Sequence, residues 1–304
     1  MAAKSPVRSS FAHQLLVCAG CFLVLAGCGE RGLDHSESSE TPQSAEVAPP
    51  SRFDPSVCGS ISGRVTWDGP IPAVPPFRVH SSGVPNKSHL VGLTRLNPNA
   101  LEVQSATRGV HQAIVMLSGV DPATARPWDY APVAIEMHHH SLEILEGDSP
   151  IRTGFVKRGA AVVMSSRDPF YHCLRARGAA AFSLPFFQAG PRTVRKLERA
   201  GLVELTSGAG YYWMCGYLFV ADHPYYARSD RAGDFRMAQV PPGKYKITCW
   251  HPGWHVIRQE RDPESSLISR ITFAPPLEIE QEVIVQPNLP ATVDFTLRAG
   301  SNAR

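Results

Sequence analysis

Residues 240–250 read VPPGKYKITCW. Pro241 and Pro242 cannot continue a helix or a central strand, and with Gly243 after them they mark a turn. Tyr245, Ile247 and Cys249 then alternate with Lys244, Lys246 and Thr248, the period of a strand with one buried face. The same signature spreads outward from this stretch. In SISGRVTWDGPIP (60–72), Ile61, Val65 and Trp67 alternate with small or polar residues up to an Asp-Gly turn. HQAIVMLSGV (111–120) is a continuous apolar run, suited to a strand covered on both faces. GAAVVMSSRDP (159–169), GLVELTSG (201–208) and YLFVADHP (217–224) repeat the theme. EVIVQPNLPATVDFTL (282–297) reads as a hairpin, with Val283 and Val285 before a Pro/Asn turn and Val293, Phe295 and Leu297 after it. PRTVRKLERAG (191–201) fits either a short helix or an edge strand. With 27 Pro and 24 Gly in 304 residues, short strands between frequent turns predict an all-β chain built from β-sandwiches.

The N-terminus is of another kind. Lys4 and Arg8 precede an apolar run from Leu15 to Leu25. That run is too short for a permanent membrane span but suits the apolar part of a signal peptide. Leu25-Ala26-Gly27-Cys28 follows and resembles the lipobox of bacterial lipoproteins. The resemblance implies cleavage after residue 27 and thioether lipidation of Cys28. Each buried methylene of an acyl chain contributes roughly 0.8 kcal/mol, so two or three chains hold a protein on a membrane. Gly29 in place of Asp implies, by the sorting rule of that family, the outer membrane of the cell envelope. Residues 28–57, with SESSETPQSAEVAPP, hold almost no large apolar side chain and are expected to be a disordered tether. Losing Lys4 and Arg8 leaves 28 basic against 27 acidic residues. Such a balance offers no cationic field for nucleic acid.

Two further resemblances concern the body of the chain. DRAGDFRMAQVPPGKYKITCW (230–250) resembles the second half of the carboxypeptidase-regulatory-like family, a transthyretin-like sandwich, through Asp230, Gly233, Phe235, Pro241, Pro242, Gly243 and Tyr245. SISGRVTWDGPIP with AIVML (113–117) resembles its first half. The resemblance thus implies a sandwich made of residues 58–123 and 222–298, interrupted by an insertion, which costs little because loop closure grows only logarithmically. The intervening residues 124–221 resemble a cupredoxin, a Greek-key sandwich, through SSRDPFYHCLRARG (165–178) and GLVELTSGAGYYWMCGYLFVADHPYY (201–226). Aligning on Trp213 and Met214 puts Gly208 where copper-binding relatives have the Cys and Tyr211 where they have the second His. His172 and Met214 remain. A blue-copper centre needs a thiolate and two imidazoles, with the thioether only a weak axial ligand. The resemblance therefore implies a metal site that has been lost, with no cofactor. Cys173 and Cys215 each adjoin one of these positions, and a disulfide between them is the expectation there.

Other candidates carry less. If His138, His139 and His140 lie on a strand, neighbours point to opposite faces and at most two converge on a metal. His251 and His255 flank a Pro-Gly that is no helix. Asp262 and Glu264 sit in a polar stretch that reads as an exposed loop. No nucleophile elbow, zinc-helix motif or phosphate loop occurs, so the chain is read as non-enzymatic. Tyr211, Trp213 and Trp254 are candidates for a stacking platform. The function expected is a membrane-anchored binding or structural module with an unidentified protein or glycan ligand. Copper handling through His172 and Met214 is one alternative, and carbohydrate binding the other.

Overall fold

The computed structural model describes residues 51–79, 92–261, 263–264 and 268–300. The expected signal peptide, Cys28 and most of the expected tether lie outside the described residues. Among the described residues there is no α-helix, only strands and a 3-10 turn at Pro55–Val57. The chain is all-β.

Four sheets account for most strands. In the first, β1 (Gly59–Asp68) runs antiparallel to β18 (Asp234–Val240) and parallel to both β23 (Pro290–Thr292) and β24 (Phe295–Arg298). The second orders β17 (Tyr226–Arg228), β6 (Ile114–Ser118), β19 (Gly243–His251) and β22 (Leu277–Val285), all antiparallel. The third orders β10 (Thr153–Lys157), β16 (Cys215–Ala221), β15 (Gly201–Ser207), β12 (His172–Gly178) and β13 (Phe182–Phe186). The fourth orders β14 (Arg192–Lys196), β11 (Ala161–Ser166), β7 (Val133–His138), β8 (Ser141–Glu146) and β9 (Ser149–Ile151). Three strand pairs lie outside these sheets: β2 (Phe77–Arg78) with β3 (Thr94–Arg95), β4 (Glu102–Val103) with β5 (Val110–His111), and β20 (Val256–Arg261) with β21 (Ile268–Phe273). Strands between 133 and 221 pair only with one another, while β1 and β6, before that stretch, pair with β17, β18, β19, β23 and β24 after it.

Alternation within each strand decides what lies between the sheets. Ile61, Val65, Trp67, Val115, Leu117, Tyr245, Ile247, Cys249 and Phe295 form one core between the first and second sheets. Ile135, Met164, Leu174, Val203, Leu205 and Leu218 belong to another, between the third and fourth. The opposite faces of the two inner sheets meet in a third cluster: Ile114 and Trp250 from one, Phe155 and Phe219 from the other. The continuous apolar run in β6 thus serves two cores. Val115 and Leu117 face one, and Ile114 the other.

Tyr245 ties down the turn at 241–243. The Tyr245 hydroxyl donates to the Pro241 carbonyl at 3.0 Å. Its ring then lies so close to Gly243 that a Cβ there would sit 3.0 Å from Cζ, a contact tighter than ordinary packing that a larger residue would relieve only by shifting the ring. Residues 191–201 settle as an edge: β14 closes one side of the fourth sheet, pairing only with β11.

One expectation fails. Residues 282–297 are not a hairpin, because β22 pairs with β19 in the second sheet while β23 and β24 pair with β1 in the first. The turn between them, with Asn288 at φ 56°, carries the chain from one sheet to the other. Val283, Val285, Val293, Phe295 and Leu297 still share one core. An apolar face looks the same in sequence whether two strands lie side by side or face each other.

Phe155 is 1% exposed at the centre of the cluster between the inner sheets. Phe155→Ala is expected to lower the unfolding free energy by about 3–5 kcal/mol in denaturant titration. Ile284→Ala, on the exposed face of β22, should cost within about 0.5 kcal/mol. Equal effects of the two substitutions would contradict this layer order.

Candidate functional site

The β7–β8 connection is a two-residue turn, since His138 pairs with Ser141. Its residues, His139 and His140, have φ of 49° and 58°. Both are left-handed, the geometry that normally selects Asn-Gly. Non-glycine residues held there cost of order 1–3 kcal/mol each. The offset comes from a side chain far along the sequence. Asp168 Oδ1 accepts the His139 N–H at 2.9 Å, and Oδ2 accepts the His140 N–H at 3.1 Å. The turn's carbonyls are held as well: Arg95 donates to His139 O at 3.1 Å and Trp213 Nε1 donates to His140 O at 2.7 Å.

Asp168 does more than hold the turn. Its Oδ2 lies 2.9 Å from Nε2 of His172, the first residue of β12 and fully buried. Burial pushes the Asp168 carboxyl pKa up, but the His140 N–H, the His172 ring and the His139 N–H together hold it below the usual value. Aromatic rings wall the group in. Phe170 stacks on His140 with centroids 4.2 Å apart, and Tyr211 lies 5.2 Å from His140 and 5.1 Å from His172. Chain from outside 133–221 covers this pole. Val79 inserts into the core between the third and fourth sheets, and Tyr212 donates its hydroxyl to Arg78 O at 3.3 Å.

This is the pole that the cupredoxin resemblance assigned to copper, and the donor set does not fit that metal. A Cβ on Gly208 would meet Cys173 Sγ at 2.8 Å and Arg175 Nε at 2.6 Å, so no thiolate-bearing side chain fits there without rearrangement. Tyr211 presents a phenol, and Met214, buried beside it, donates its backbone N–H to Tyr211 O. His172 is engaged with a carboxylate. Two imidazoles and a thiolate do not converge. Among the described residues, no group of three or more His, Cys, Asp or Glu is arranged to hold a metal ion.

Several expected features change. Only His138 of the histidine run is in a strand, and it stacks on His139 at 3.7 Å. His139 and His140 form the turn. Cys173 and Cys215 are thiols, not a disulfide. Cys173 lies beside Gly208, and Cys215 pairs with Thr206 on the far side of β15. Two strand spacings put them roughly 10 Å apart, beyond disulfide reach. The Cys173 side chain also points away from that of His172, because consecutive strand residues face opposite sides. Cys215, with its pKa pushed up to about 12 by burial, packs near Asn99. Tyr211, Trp213 and Trp254 are 0%, 6% and 5% exposed, so they form no stacking platform. His251 and His255 each contact the Trp254 ring, at 5.8 Å and 5.4 Å between centroids, and belong to no group of three or more candidate ligands among the described residues. Glu264 is exposed, and Asp262 lies outside the described residues. Asp168 was present in the quoted segment, four residues before His172, but only its partners reveal its role. Arg95 carried no sequence signal at all.

No family model matches the chain, and no curated protein matches it. Solved structures that resemble part of it include a purple cupredoxin from Nitrosopumilus maritimus, at 14% identity and TM-score 0.24, covering 29% of this chain and 98% of that one. A mutant amicyanin gives 15% identity and TM-score 0.25, covering 32% of this chain and 97% of its own. A copper-containing nitrite reductase from Thermus scotoductus gives 18% and 0.24, covering 34% of this chain and 25% of its own. Superpositions of that quality define no family and no activity.

Acid should act on this fold in two separable windows. His251 is buried beside Arg152, and burial first, then that charge, lowers its pKa from 6.5 to about 3. The unfolded chain then binds the proton more readily, so stability falls as pH drops below 6.5 towards 3. Asp168, depressed from 3.8, contributes stability that is present above that pH and lost as pH falls through its folded value. His251→Gln should shrink the first window, to which buried His223, also lowered from 6.5 by burial, contributes as well, and leave the second unchanged. Asp168→Asn should weaken the fold at neutral pH by about 1–3 kcal/mol and flatten the second. Unfolding titrations from pH 7 to 2 read both, and unchanged profiles would contradict these assignments.

Proposed function

We propose that this chain is a lipid-anchored, non-enzymatic envelope protein that works as a binding or structural module. In this reading a transthyretin-like sandwich of the carboxypeptidase-regulatory-like kind carries an inserted cupredoxin-like sandwich whose copper pole has become a structural lock. The observation that carries it is the Asp168 carboxylate. It receives the two turn amides and lies against His172 Nε2, so the imidazole inherited from a metal site is committed to a carboxylate. The Asp230 turn supports the first sandwich: its Oδ1 accepts the Ala232 and Asp234 N–H groups, which gives a physical role to a motif residue.

The purified full chain should show no intense thiolate-to-copper band in the visible on titration with Cu(II), and no copper retained after dialysis. An intense band, or stoichiometric copper lost in a His172→Ala or Met214→Ala variant, would favour the copper-handling alternative. Anchoring is tested separately. The chain should take up labelled fatty acid and fractionate with the outer membrane, and Cys28→Ala should abolish the labelling. Labelling that survives this substitution would contradict the anchor.

A further inference from the structure

β13 and β14 are free edges of the third and fourth sheets. At the other end of the third sheet, β10 and β16 carry Phe155 and Phe219, which meet the second sheet. In the fourth sheet β8, three strands from β14, packs against those same two strands. Both free edges therefore lie on the flank of this sandwich that is turned away from the other one, and residues 187–191 join them.

That flank is strongly cationic. Residues 171–199 carry Arg175, Arg177, Arg192, Arg195, Lys196 and Arg199, all exposed, against one carboxylate, Glu198. Six against one exceeds the net +3 of the entire chain. Glu204 of β15, opposite Arg177 in the register, is the next acidic group. Among the described residues none of the six cations is in an ion pair. Apolar side chains stand among them. Phe187 is 74% exposed, Val194 56% and Tyr171 42%, and the Tyr171 and Phe187 rings lie 5.4 Å apart at the end next to His172. Cations on an edge strand discourage unwanted strand pairing. That role does not cover Arg175 and Arg177, which lie on the interior strand β12, nor a phenylalanine left in water beside them.

We infer that this flank rests on an anionic phospholipid bilayer, with its arginines and Lys196 at headgroup phosphates and Phe187 and Tyr171 at the interface. The inference goes beyond the binding-module reading and rests on the lipid anchor in it. The chain from Cys28 to Ser51 reaches at most about 80 Å, so the anchor keeps the body at a high effective concentration beside the bilayer, where a weak contact suffices. A bilayer is favoured over an acidic protein or a nucleic acid for two reasons. Its field extends over roughly 8–10 Å, so cations that wrap an edge from both sheets need not be coplanar. It also accepts an exposed ring without a shaped pocket.

Footprinting of the full chain tests the inference. The chain is reconstituted in vesicles of phosphatidylcholine alone, or of equal parts phosphatidylcholine and phosphatidylglycerol, and treated with arginine- and lysine-directed reagents read by mass spectrometry. In the anionic vesicles Arg175, Arg177, Arg192, Arg195 and Lys196 should react about fivefold or more slowly than in the neutral ones, and high salt should remove the difference. Lys244 and Lys246, in the second sheet, should react alike in both. Arg192→Ala with Arg195→Ala should restore reaction at Arg175 and Arg177, and Phe187→Ala should weaken their protection. Lys244→Ala with Lys246→Ala should leave it intact, with circular dichroism of every variant unchanged. The inference is overturned by equal rates in the two vesicles, by protection that Lys244 and Lys246 share, or by the same protection from soluble poly-glutamate or single-stranded DNA. Flotation separates it from the anchor. A chain that floats with both vesicles but is unprotected keeps the anchor and loses the docked flank. One that floats only with anionic vesicles, and is protected there, loses the anchor and keeps the flank, and flotation with neither overturns both.

Discussion

Between the two inner sheets, Ile114, Phe155, Phe219 and Trp250 exclude water from surfaces that would otherwise be large exposed apolar patches. The contact is directional as well as apolar. Trp250 meets Phe219 and Tyr217 edge-on, at 5.2 Å and 5.3 Å. The Arg228 guanidinium lies 4.1 Å over the Phe155 ring while donating to Thr153 O and pairing with Glu146. Arg228 lies on β17, and its three partners lie in the stretch 133–221. Every layer outside this one depends on it, because each inner sheet is a wall of two cores at once. An insertion of such length costs little loop entropy, but it gains a fixed orientation only through a contact of this kind.

Asp168 plays the corresponding part at one pole. A strained two-histidine turn, a buried imidazole and the start of a strand all meet one carboxylate. Neutralising it leaves two amides short of a charged acceptor in a site nearly closed to water. A pole built to hold an electron-transferring ion needs soft donors converging on empty space. Here the space is filled by rings and by chain from the other sandwich, and the hard acceptor already holds two backbone amides and lies against an imidazole. The two arrangements are alternatives at the same place.

Much of the fold was legible because burial imposes a period of two. Ile61, Val65 and Trp67, or Tyr245, Ile247 and Cys249, name their own face, and the unbroken run at 113–117 announced a strand covered on both sides. What stayed hidden was which faces meet. Val283 to Leu297 carry one apolar face in either a hairpin or a crossing between sheets, so the pattern did not distinguish them. The candidate site was legible in part. His172, Gly208, Tyr211 and Met214 do gather near one pole, but the residues that give it its character, Asp168 and Arg95, act through hydrogen bonds to backbone. Such bonds leave no periodicity. The aromatic residues misled for a related reason: Tyr211, Trp213 and Trp254 are as suited to a core as to a ligand surface, and only packing decides.

The layer around Phe155 and Trp250 joins both sandwiches into one cooperative body. Scanning calorimetry of the full chain tests it most directly. A single transition is expected, with calorimetric and van't Hoff enthalpies that agree. Two resolved transitions, one for each sandwich, would contradict it.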